Sequence, residues 1–155
     1  MAKKPDFDLQ AVHKYFSAQC FNRAWDFIDK PIRKPDEDEQ MLQLSLASLW
    51  HWTQRADCTP TNLSIGYWQV SRVYSLLNQP DMARRYGNFC LQVSQQEGVP
   101  PFYLGYAYEA LARAENVDGK LDDAEKYLVE AHQIAAALPS DEGKKQLLAD
   151  LSTIR

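Results

Sequence analysis

A single shift of 41 residues carries one stretch of this chain onto another. Tyr67 lands on Tyr108, Arg72 on Arg113, Ala83 on Ala124 and Tyr86 on Tyr127, with Arg85 on Lys126. The shift holds across two successive helical segments, so both units share one internal register. Repeats of this length mark helical arrays, in which each hairpin buries its apolar face only against a neighbour. The repeat therefore predicts an all-α chain built from antiparallel helix pairs.

Punctuation along the chain sets the pairs. Phe7 to Ile28 reads as a first helix, with Phe16, Cys20, Ala24, Phe27 and Ile28 on one stripe. Pro31 and Pro35 break it, because proline lacks the backbone donor and restricts the residue before it. Asp36-Glu37-Asp38-Glu39 then places carboxylates at the positive end of a second helix, which runs to about Arg55. Thr59-Pro60 is an N-cap followed by proline, opening a third helix to about Asn78 with Leu63, Tyr67, Val70, Tyr74 and Leu77 as its core stripe. Pro80-Asp81 opens a fourth helix, which Gly98 and Pro100-Pro101 close. A fifth helix covers Phe102 to Val117 and a sixth Leu121 to Leu138, joined by the turn Asp118-Gly119. Pro139-Ser140-Asp141 starts a short seventh. The expected organisation is one domain: hairpins over about 7–56, 60–97 and 101–138, and a terminal helix over about 140–154.

The two repeating hairpins resemble tetratricopeptide repeats, whose pattern is aromatic-x2-Leu-Gly-x2-Tyr in the first helix and Ala-x3-Phe in the second. Here Tyr67-x2-Val70-Ser71-x2-Tyr74 is followed by Ala83-x3-Gly87, and Tyr108-x2-Leu111-Ala112-x2-Glu115 by Ala124-x3-Leu128. Gly87 departs from the aromatic and Glu115 from the tyrosine. The period also exceeds the family's 34 residues, so the extra length lies between Tyr86 and Tyr108. The likeness covers Ile65 to about Leu138; the first hairpin does not match at this shift. Trp50-His51-Trp52, Gln69 to Tyr74 and Tyr106 to Arg113 also resemble a small uncharacterised bacterial group, a likeness that implies no activity. The resemblance implies a right-handed solenoid of about three hairpins plus a C-terminal helix, with first helices lining a concave groove.

That groove is where a ligand is expected. Ile65, Trp68, Arg72 and Ser75 leave the core stripe of the third helix on another face, and the matching face of the fifth carries Tyr106, Glu109, Arg113 and Asn116. The repeat aligns Trp68 with Glu109, Arg72 with Arg113 and Ser75 with Asn116. Neighbouring helices pack about 8–10 Å apart, so the arginines form a rung suited to a carboxylate, a phosphate or an acidic peptide. The alternative is that Glu109 pairs with Arg113 at i,i+4 while Arg72 stacks on Trp68.

His51, Trp52 and Arg55 are expected at one groove end. Trp50 and Trp52 are about 200° apart on a helix, so both cannot face one core. Tryptophan and arginine are favoured anchors at binding surfaces; the alternative is that both indoles fill packing and His51 is a satisfied interior or surface histidine.

Other chemistries lack their signatures. His13, His51 and His132 lie on separate helices without HxxxH or HExxH spacing, and Cys20, Cys58 and Cys90 are scattered, so neither a metal site nor a cofactor is expected. The cysteines read as free thiols of a cytoplasmic protein. A net charge of −4 disfavours nucleic acid. Met1 to Asp6 reads as neither secretion signal nor anchor, and no run is long and apolar enough for a membrane span. The expected function is non-catalytic: a module binding a protein or peptide, an acidic one being among the candidates. The alternatives are a small anionic-ligand binder or enzyme using a Trp/His/Arg/Glu pocket, and a homodimer whose partner chain fills the groove.

Overall fold

A computed structural model describes residues 6–155, so the start read as neither signal nor anchor lies largely outside the described residues. Among these there are seven helices and no strand: α1 Leu9–Ile28, α2 Pro35–Thr53, α3 Pro60–Leu76, α4 Pro80–Ser94, α5 Pro101–Val117, α6 Leu121–Ala137 and α7 Glu142–Leu151. Four of the seven begin on proline, whose missing donor costs nothing at a first helical position. This is why α2 and α5 start one residue earlier than the sequence reading placed them. The chain divides into two compact units, Met1–Thr59 and Pro60–Arg155. Among the described residues no helix is long and apolar enough to cross a membrane.

The first unit is the hairpin α1–α2. Asp8 caps α1 by accepting from the Gln10 and Ala11 amides. Small residues bring the helices together: Ser17 and Ala24 on α1, and Ser45 and Ser48 on α2, are buried, and Ser48 Oγ donates to the Ser17 carbonyl at 2.7 Å. Gln10 ties the open end, donating to the Gln54 carbonyl and accepting from the Ala56 amide. Phe16, expected on the core stripe, is 43% exposed, because the narrow serine-lined seam leaves its ring outside.

In the second unit α3 pairs with α4 and α5 with α6, while α5 also packs on α3 and α4. The hairpin turns repeat bond for bond. Asn78 and Gly119, 41 positions apart, both take left-handed φ, at 55° and 76°. Gln79 N donates to Tyr74 O at 2.9 Å, and Lys120 N to Glu115 O at 2.9 Å. Both are Schellman-type closures, in which a left-handed residue satisfies the last carbonyls of a helix. Tyr67 meets Tyr86 at 6.3 Å between ring centroids, and Tyr108 meets Tyr127 at 6.3 Å.

The two departures from the repeat pattern both lie where α4 meets α5. A Cβ on Gly87 would stand 2.9 Å from Leu111 Cδ2, so glycine lets Leu111 bury completely; full burial of a leucine contributes about 1.5–3 kcal/mol. Glu115 accepts both prongs of Arg84 at 2.6 and 3.0 Å, and Arg84 also reaches Asp118 and Asp81. The extra length of the period is taken up by α4 running past Tyr86 to Ser94 and by the connection over residues 95–100.

The last helix covers the α5–α6 pair. Leu147, Leu151 and Ile154 join Tyr106, Ala131 and Ala135 in one buried cluster. Leu147 approaches α5 at Gly105, where a Cβ would come within 2.7 Å of it.

Candidate functional site

Helix α3 and helix α5 present the face the sequence reading singled out, and the structure brings most of it together. Glu109, wholly buried, is the centre. Trp68 Nε1 donates to its Oε2 at 2.8 Å, while Arg113 donates to Oε1 from Nε at 2.7 Å and has Nη2 in ion-pair contact with it at 2.6 Å. Burying a carboxylate is tolerable only with such partners, since an unpaired one costs several kcal/mol. Arg113 spends its remaining reach on the α7 end, donating to the Asp150 carbonyl at 3.1 Å and to Thr153 Oγ1 at 2.8 Å. Tyr106 donates to Asp150 Oδ2 at 2.6 Å, and its ring meets Trp68 edge-on at 5.4 Å. Burial, then the bond to Asp150, pushes the Tyr106 phenol far above its usual range.

Arg72 and Arg113 both face Glu109, which stands between them as an internal anion, and the i,i+4 pairing of Glu109 with Arg113 given as the alternative is the close contact. The two arginines are not equivalent. Arg113 holds Glu109 closely, whereas Arg72 Nη1 reaches the same oxygen only at 3.8 Å, and Arg72 makes no shorter polar contact among the described residues. Its side chain is 22% exposed, and burial, then the neighbouring Arg113 cation, lowers its pKa. Ser75, one turn along α3, buries an Oγ that has no hydrogen-bond partner among the described residues. Asn116 is half-buried on the last turn of α5 and its side chain stays out of the network.

The residues placed at a groove end lie in the first unit, each with partners there. Arg55 falls beyond the end of α2 and folds back over the Trp52 ring, 3.7 Å from its centroid. It also forms a two-pronged pair with Asp57 and donates to Ser17 Oγ at 2.9 Å. The Arg55 hydrogen bond holds Asp57 down to about 2. Trp50, rather than Trp52, is the exposed indole, at 55%.

His51 meets His13 on α1, Nδ1 to Nδ1 at 2.8 Å, a pairing that sequence spacing gave no sign of. Phe16 stacks on His51 at 5.5 Å, and Trp50 stands edge-on to both histidines at 4.9 and 5.5 Å. Tyr15, 59% exposed, extends this cluster through Phe16. Burial, then the neighbouring His13, lowers the His51 pKa and favours the neutral ring.

No protein-family profile matches the chain, and no curated protein or solved structure matches it either.

Proposed function

We propose that this chain is a non-catalytic, tetratricopeptide-repeat-like module of the cytoplasm, which binds a protein or peptide partner through an acidic group taken by Arg72. One observation carries the reading. Arg72 is a partly buried guanidinium whose sole partner among the described residues, at 3.8 Å, is a carboxylate oxygen already held by Arg113 at 2.6 Å. Its fork of donors is largely unspent, and a carboxylate arriving from outside satisfies such a fork in two parallel bonds. The common register of the two hairpins supports the solenoid family. Three exposed aromatic side chains in the first unit, Tyr15, Phe16 and Trp50, favour an interaction protein over an enzyme, because exposed aromatic patches mark binding surfaces.

The test uses a panel of acidic peptides and their neutral amide counterparts, titrated against the wild-type chain, Arg72→Ala and Arg113→Ala. The acidic peptides should bind better than their amides. Arg72→Ala should weaken them about tenfold to a hundredfold, the equivalent of about 1.5–3 kcal/mol for a hydrogen bond to a charged group. Its melting should fall less than that of Arg113→Ala, since its contact with the Glu109 network is one approach at 3.8 Å against the close pairing of Arg113 at 2.6 Å. Equal binding by Arg72→Ala and wild type would sink the reading.

A further inference from the structure

The aromatic cluster of the first unit encloses two metal-binding side chains whose nitrogens converge. His13 comes from α1 and His51 from the last turn of α2, and their Nδ1 atoms are 2.8 Å apart. In the metal-free state this is a hydrogen bond: one Nδ1 carries the proton and the other offers its lone pair. The same spacing has a second meaning. Two imidazole nitrogens bound to one ion at about 2.0–2.1 Å lie about 2.8–3.0 Å apart when they subtend a right angle, and about 3.3–3.4 Å apart in a tetrahedron. The observed separation is that of adjacent ligands around a square-planar centre, the geometry that nitrogen and oxygen donors give copper(II) and nickel(II).

We propose that His13 and His51 form a two-histidine site for a divalent first-row ion, copper(II) foremost. Binding moves the shared proton from Nδ1 to Nε2 of the same ring, so both rings remain neutral and no proton need leave. Among the described residues no third His, Cys, Asp or Glu joins the pair, so the other two positions are open to water or to a donor from outside the chain. The pair is held ready by packing: Phe16 stacks on His51, and Trp50 lies edge-on to both rings. Three elements of preorganisation converge here: one ligand from each helix of the hairpin, a serine-lined seam between those helices, and an aromatic wall fixing the ring planes. Copper is preferred because affinity for nitrogen donors peaks there and because zinc, favouring a tetrahedron, would force the nitrogens apart by about 0.5 Å. The site is independent of Arg72 and of any peptide ligand.

The experiment titrates the full chain with copper(II), nickel(II) and zinc(II) at neutral pH, following Trp fluorescence and, for copper, electron paramagnetic resonance. Expected are one copper per chain, hyperfine splitting from two imidazole nitrogens, and quenching of Trp50, with affinity falling from copper to nickel and zinc. His13→Ala and His51→Ala should each weaken copper at least tenfold and leave at most one imidazole nitrogen in the spectrum. His132→Ala should bind as wild type does. His13→Gln and His51→Gln, with circular dichroism matching wild type, separate loss of a ligand from loss of fold. Copper affinity unchanged in either histidine variant, or a spectrum without two imidazoles, would overturn the proposal.

Discussion

Trp68 donates its indole N–H to Glu109, the residue that occupies Trp68's own position one 41-residue repeat later. The two hairpins are therefore joined by a bond between equivalent sites that hold opposite partners, a donor in one repeat and an acceptor in the next. Glu109→Ala should remove the acceptor shared by Trp68 and Arg113 and the carboxylate nearest Arg72. Breaking a buried charge network costs about 3–5 kcal/mol. At about 2–4 °C per kcal/mol for a chain of this size, melting should fall by roughly 6–20 °C. Trp68→Phe, which keeps most of the ring but not the donor, should lose about 1.5–3 kcal/mol. Calorimetry on both variants checks the order; a Glu109→Ala chain as stable as wild type would refute the network.

Arg113→Ala should behave unlike Arg72→Ala. It strips Glu109 of its close partner and cuts the bonds to the Asp150 carbonyl and Thr153. The expected result is lower melting together with faster amide exchange in α7. Exchange confined to α5 would show that this arginine does not fasten the last helix.

Arg84→Met should uncouple α4 from α5. It leaves Glu115, nearly buried, without its two-pronged partner, and it also frees Asp118 and Asp81. Removing one partner of a buried pair leaves an uncompensated charge, so a loss of about 3 kcal/mol is expected. The double variant Arg84→Met/Glu115→Met should recover part of it, because no lone charge then remains. Denaturant unfolding of the single and double variants reads the difference.

Acid should weaken the first unit through Asp57. Its pKa is depressed to about 2 by Arg55, so its contribution is present above the ordinary carboxylate range and is lost as pH falls from about 4 towards 2. Asp57→Asn should flatten the stability profile in that window and leave it unchanged near neutrality relative to its own baseline. An identical acid limb in both proteins would remove Asp57 from the account.

The thiols should react in two classes. Cys90 is fully buried, and burial raises its pKa to about 11. Cys20 and Cys58 are half-buried, also with pKa values raised by burial but more accessible. A disulfide reagent at pH 8 should titrate two thiols in the native chain and three after unfolding. Three equally fast thiols in the native state would contradict the packing around Cys90.

Helix pairs and their register were legible because they are local: proline starts, a turn at Asp118-Gly119, and aromatic residues repeated at one spacing. Asp36 to Asp38 could be read as a helix start from charge alone, and they form the first turn of α2. Depth was much less legible. Glu109 and Arg113 look like a surface i,i+4 pair, yet Glu109 is wholly buried and Arg113 is engaged by Asp150 and Thr153, 37 and 40 residues away. Phe16 fits an apolar stripe, yet the α1–α2 seam is drawn tight by serines that periodicity counts as polar. His13 and His51 stand 38 residues apart, and they meet because of how two helices are rotated about their axes, which spacing along either helix does not specify.

The placement of α7 bears on how this architecture can grow. In the first repeating hairpin Ser64, Cys90 and Ser94 meet in the interior through polar contacts. The same three positions in the second hairpin are Gly105, Ala131 and Ala135, a smooth apolar seat filled by Leu147 and its neighbours on α7. A duplicated hairpin spliced in after residue 138 would arrive at a docking place already taken. Lengthening the array at this end thus requires replacing α7, whereas the same insertion between α4 and α5 must instead reproduce the Gly87–Leu111 fit and the Arg84–Glu115 clamp.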